Sequence, residues 1–267
     1  MSWRLFRQTL YWNRVRLVVV LLAAFGWGIL IPVFYVSFSE AIREIVNSGA
    51  FPRSLMSLGS GNLFSLPGAL TLGLQHPFAI ALVAIFAVAT PAAAVAGERE
   101  RGTLEVLLSR PISRLTHLRT VAAAVALMLV AAVGALLAGQ LAGMAAVDVI
   151  DQLAAGGLWL VLVNGALLWF AFAAFGLAAS VSFDRHAPAL GLSLGYLLAN
   201  YLLEVLGSLW TDVAWSQEYS LFHHFNAGGI LQGDAQVADF LILAGAVVLP
   251  LLYAVVVYPR RDLAAPT

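Results

Sequence analysis

The side chains able to do chemistry in this 267-residue chain are few, and most of them sit in one stretch. Gly97–Arg114, GERERGTLEVLLSRPISR, holds Glu98, Arg99, Glu100, Arg101, Glu105, Arg110 and Arg114, although only 10% of the whole chain is charged. Long apolar runs flank it on both sides, so it reads as a loop held at a membrane surface. A helix is predicted to begin at Gly102-Thr103. Thr103 can cap the first free N–H groups, and Glu105 falls in the first turn, where the helix dipole favours an acid. Leu104, Leu107 and Leu108 share one face at i, i+3, i+4 spacing. Arg110-Pro111 ends the helix, because Pro disfavours helical geometry in the residue before it. The chemistry on offer is recognition: a two-turn helix with an apolar knob and a charged rim suits a groove on another protein. The plainer reading is a solvated loop whose charges only orient the chain.

Elsewhere the polar groups stand alone inside apolar runs. Glu204 is the one acid well within such a run, and burying a charged acid at mid-bilayer costs about 2.5–3.5 kcal/mol on insertion scales. A substrate- or proton-path role is one reading. The plainer one puts Glu204 near the outer end of its span, hydrogen-bonded or close to water, since Gly207–Trp210 marks a membrane exit. Gln140, Asn164 and Asn200 are read first as interhelical hydrogen-bonding groups, worth about 0.6 kcal/mol on average, and second as a pathway lining. Gly139-x-x-x-Gly143 and Gly191-x-x-x-Gly195 allow close helix approach, within one subunit or between two. The second pair also reads G-x-S-x-G around Ser193. Intramembrane serine proteases of the rhomboid type likewise have six spans, which makes that activity a remote alternative. They need a His in a later span as base, and residues 237–257 contain none. The nucleophile-elbow form of the motif also needs a strand-to-helix turn. No catalytic residue is therefore assigned. His76, His223 and His224 are not spaced as metal ligands, so no metal site is expected.

The elements that must position these groups are membrane spans. Hydrophobic residues make up 61% of the chain, while soluble domains carry about 25% charged residues. The absence of cysteine excludes disulfides, thiolate metal sites and Cys nucleophiles. There is also no lysine, because all 14 basic residues are Arg, so a P-loop is excluded. Six apolar runs reach the length a ~30 Å core demands, near 17–36, 77–96, 120–147, 157–181, 187–209 and 237–257. Pro32, Pro91 and Pro250 mark kinks. Residues 1–16 mix Trp3, Phe6, Tyr11 and Trp12 with Arg4, Arg7, Arg14 and Arg16. They read as an interfacial helix or as a basic flank that orients the first span. Twelve of the arginines fall on the side of the two termini and the 97–119 loop, leaving Arg43 and Arg53 opposite. That asymmetry puts both termini and the loop in the cytoplasm. Two outer loops, about 37–76 and 210–236, are expected to hold short interfacial helices with an aromatic belt. The fold class is thus all-α, a polytopic membrane protein with six transmembrane helices in a single domain, 1–267.

The charged stretch also resembles a known family. E-x-E-x-G-T-L-E followed by L-L-S-x-P-[IV]-S-R looks like the cytoplasmic loop between the second and third spans of type-2 ABC permeases. It is most similar to the small six-span kind, such as the nitrous oxide reductase maturation permease. The matching residues are Glu98, Glu100, Gly102, Thr103, Leu104, Glu105, Leu107, Leu108, Pro111 and Arg114, and Arg119 keeps a basic charge where the family often has Lys. The resemblance implies that loop 97–119, Arg101 included, carries a coupling helix that binds a separate ABC ATPase subunit. ATP and Mg would then sit on that partner, with no cofactor on this chain and no enzyme activity of its own. It further implies an exporter, a second permease copy or paralogue, a bacterial or archaeal inner membrane, and no nucleic-acid partner. The alternative is an ion- or proton-coupled carrier, which predicts broken helices and buried charges at mid-membrane. The generic Ala/Leu/Val/Gly spans name no substrate.

Overall fold

The computed structural model describes residues 1–47, 65–109, 112–152 and 156–261, without the side chains of 39–47 and 108. Among the described residues every regular element is helical. The long elements are α1 (Trp3–Asn47), α3 (Pro77–Glu100), α5 (Arg114–Ala146), α6 (Gly157–Ser182), α7 (His186–Leu209) and α9 (Val237–Arg260). Three short helices complete the set: α2 (Leu66–Gln75), α4 (Thr103–Leu108) and α8 (Ala227–Leu231). The six long helices are apolar enough to cross a membrane, matching the six runs read from the sequence. Helix α6 is the central one, with 61% of its apolar window buried against 22% for α1 and 17% for α9.

Residues 1–16 read either as an interfacial helix or as a basic flank of the first span. Trp3–Arg16 are the first turns of one unbroken α1, 45 residues long and so about 67 Å. No Gly or Pro stands between Trp3 and Phe25 to break it. The Ser2 backbone N–H donates to Thr120 Oγ1 at 3.0 Å, tying the start of α1 to α5. Farther along, α1 and α5 meet backbone to backbone. A Cβ on Gly28 would sit 2.9 Å from the Gly139 Cα, and one on Gly139 would strike the Phe25 carbonyl oxygen. The 139/143 glycine pair therefore closes a contact inside the chain. Gly191 and Gly195 face open space. In lipid, where apolar burial gives no drive for helix association, such approach is the main source of packing energy.

The described parts of loops 37–76 and 210–236 are partly exposed and partly packed into the bundle. Helix α2 buries Leu66, Leu70 and Leu74 against the bundle. It is capped by Ser65, which accepts from Gly68 N–H at 3.2 Å. It stops at His76 because Pro77 forces extended backbone there. His76 then caps α3 through Phe78 N–H. The amphipathic piece around Ile42, Ile45 and Val46 lies on the end of α1, with its side chains outside the described residues. Loop 210–236 holds a 3-10 helix, Thr211–Tyr219, followed by α8. Trp210, Trp215 and Tyr219 are exposed, as a belt requires, but Phe222 and Phe225 turn inward. Phe222 packs on Trp169, Phe172 and Tyr201 with ring centroids 5.4–6.0 Å apart.

Candidate functional site

The charged stretch emerges from an irregular helix. Within α3, π-helical turns at Ile85–Ala89 and Ala93–Gly97 bracket Thr90–Ala92. Pro91 supplies no N–H, and wide turns leave backbone groups unpaired. Ser180 of α6 repairs them. Its buried hydroxyl accepts from Val95 N–H and Ala96 N–H, both at 3.0 Å, and donates to the Ala92 carbonyl at 2.8 Å. Gly176, one turn earlier on α6, lets Pro91 approach: a Cβ there would be 3.1 Å from the Pro91 Cβ.

At the end of α3 the chain reverses at Gly102, whose φ of 69° is left-handed. Glycine adopts that conformation without steric penalty. Glu98 holds both sides of the reversal. It pairs with Arg101 at 2.6 Å and accepts from the Thr103 hydroxyl. Thr103 thus opens α4 as predicted, but its hydroxyl serves Glu98 instead of capping, and Gly102 is the N-cap residue. Glu105 lies in the first turn of α4. Leu104 is 1% exposed and belongs to the main core, whereas Val106 is 66% exposed. Leu104 therefore packs on this bundle, and Leu107 is half-buried. What α4 presents outward is Glu105, Val106 and Ser109, beside Arg101. The Leu108 side chain and the predicted stop at Arg110-Pro111 lie outside the described residues.

Four separate segments are wired to this reversal. Glu100 Oε2 accepts from His186 N–H at 2.9 Å. It supplies the N-terminal cap that α7 lacks locally, with the favourable sign for the helix dipole. Arg99 pairs with Asp184 at 2.6 Å, and Arg261 pairs with the same carboxylate oxygen. Arg261 also donates to the Val181 carbonyl at the end of α6. Arg114 Nη1 donates to the carbonyls of Tyr258, Pro259 and Arg261, closing the end of α9. Below them, His117 Nδ1 and Tyr258 OH lie 2.9 Å apart. One end of the bundle is therefore a junction at which α3, α4, α5, α6, α7 and α9 share side-chain bonds. Sequence reasoning missed Asp184, Arg261 and Ser180. The available signal was an acid just past a span end, on the side that carries most of the arginines.

The four in-span polar residues go to the opposite end and do not gather. Gln140 Nε2 donates to the Leu70 carbonyl at 2.9 Å, and Asn164 Nδ2 donates to the His224 carbonyl at 3.2 Å. Asn200 Oδ1 accepts from Leu221 N–H at 2.8 Å, while Ser220 donates to the Asn200 carbonyl. Glu204 Oε1 accepts from Gln217 Nε2 at 3.1 Å. Each fastens a different outer segment to the bundle. Ser193 donates to the Ala189 carbonyl within continuous α7, so the strand-to-helix turn of a nucleophile elbow is not present. His224 Nδ1 lies 3.0 Å from Asp239, and among the described residues no three potential metal ligands cluster.

Six spans with a polar junction at one end, reached by a reversed surface helix, define a polytopic membrane protein whose interior polar groups serve helix ends and loops. Residues 2–263, nearly the whole chain, match the model of the ABC-2 family transporter proteins. The chain belongs to that family and is an ABC transporter membrane subunit, a class that works with an ABC ATPase. No curated protein matches it significantly.

Proposed function

We propose that this chain is the transmembrane half of an ATP-driven exporter, engaged by a separate ATPase subunit through α4. The observation that carries the reading is the left-handed Gly102 reversal, which sets Glu105 and Val106 outward on a short helix anchored by Leu104. ATP and Mg belong to the partner, since a chain without lysine has no P-loop. The junction faces the cytoplasm of a bacterial or archaeal inner membrane, in keeping with the arginine asymmetry. A second copy, or a paralogue, completes the pore. Closure of the ATPases displaces α4. The bonds from Glu100 to α7 and from Arg99 through Asp184 to Arg261 pass that displacement to the other helices.

Two experiments test this. Deleting Arg101–Ser109 is expected to abolish co-purification of the ATPase subunit, and undiminished co-purification rejects the reading. Because the chain has no cysteine, Val106→Cys is a single chemical reporter. An impermeant maleimide is expected to label it in inside-out vesicles and not in intact cells, and the reverse pattern rejects the orientation.

A further inference from the structure

We propose that the cleft at the outer end of α7 binds an organic ammonium ion, a cation with an apolar body that hydrogen-bonds to Glu204. The cleft has a volume of about 260 Å3 and lies between α7, the α2–α3 elbow and the Phe222 turn. Leu72, His76, Tyr201, Val205 and Phe222 form its walls, and Glu204 is its only charged residue. Glu204 is 8% exposed. Gln217 occupies one of its oxygens, which is enough to hold the 3-10 helix in place. The other, Oε2, is buried without a hydrogen-bond partner among the described residues.

A buried acceptor left unpaired is costly, and a structural tether does not require it. An ammonium group supplies the missing donors and the opposite charge together, which makes the strong class of hydrogen bond. Tyr201 and Phe222 in the wall supply aromatic rings for cation–π attraction, and Leu72 and Val205 cover an apolar body. An anion would meet Glu204 with no arginine in the cleft lining to offset it. A neutral lipid chain would leave Oε2 unpaired. As a cargo class this inference rests on the transport reading above; as a binding site it stands without it.

The test uses the full chain in zwitterionic-lipid nanodiscs and equilibrium dialysis of radiolabelled phenethylamine, with empty discs subtracting partition into lipid. Saturable binding is expected, and 2-phenylethanol, similar in shape but uncharged, is expected not to compete. Glu204→Gln should weaken binding at least tenfold. Leu72→Trp, which fills the cleft from α2 and leaves the carboxylate intact, should weaken it comparably. Non-saturable uptake, equal competition by 2-phenylethanol, or a Glu204→Gln variant that binds like the parent overturns the proposal. Should Glu204→Gln fail to fold, Leu72→Trp and the alcohol comparison decide alone. Loss of this binding with ATPase co-purification intact would reject the cleft and leave the proposed function standing.

Discussion

The two ends of this bundle are held together by different chemistry. At the junction, charged side chains reach helix termini across the chain: Glu100 to α7, Arg114 to α9, and Arg99 and Arg261 to Asp184. At the opposite end, mostly uncharged amides and hydroxyls reach the backbones of connecting segments from inside the spans, and aromatic rings fill the space around them. The junction groups are partly open to water, so each contributes little to stability and each can be released. The outer groups are dry, so each is expensive to remove. The comparison teaches that one end is fixed by buried bonds that are costly to lose and the other by charged bonds that exchange more easily with water.

Substitutions should separate those roles. The largest stability loss is expected for Asn200→Leu, which strands the buried Leu221 N–H and lowers stability by about 1–3 kcal/mol. A lowered thermal midpoint in detergent reads it, with ATPase co-purification unchanged in the folded fraction. Ser180→Ala, which strands Val95 N–H and Ala96 N–H, should cost about 1–2 kcal/mol. It should also impair ATP-driven transport, since it loosens the stem of α4. Glu100→Ala removes the α7 cap at about 1 kcal/mol. Its effect on substrate-stimulated ATP hydrolysis should exceed its effect on the thermal midpoint. Asp184→Asn is expected to change stability least, by about 0.2–1 kcal/mol, and less still in high salt. An outer-end variant that uncouples ATP hydrolysis as strongly as Glu100→Ala, without losing folded protein, would break the comparison.

How much of this was legible in the sequence follows from the range of the interactions involved. The spans announce themselves by length and apolarity, and the α4 start by Gly102-Thr103. Amphipathicity correctly marked Leu104 as a residue to be buried, but it cannot say against what. The answer is the chain's own core. The two G-x-x-x-G pairs look alike in sequence, and one is closed by α1 while the other faces open space. Asp184 carries no periodic signature because its partners are 77 and 85 residues away. Pro91 advertised a kink, yet the π turns beside it, in an Ala-rich run, advertised nothing. The family resemblance covered Glu98 to Arg114, which is why that stretch stood out although its wiring did not.

Those π turns set an angular phase. Each is equivalent to one extra residue in an α-helix, and a residue advances the spiral by about 100°. Two of them carry everything beyond Gly97 about 200° round from where an unbroken coil would leave it. The compass bearing of Glu100, and hence its meeting with His186, is therefore decided upstream, in Ile85–Ala89 and Ala93–Gly97. Deleting one residue from each wide turn should leave a regular α-helix ending on the same bearing, so the meeting of Glu100 with His186 should survive, whereas one further deletion should swing it away by about 100°.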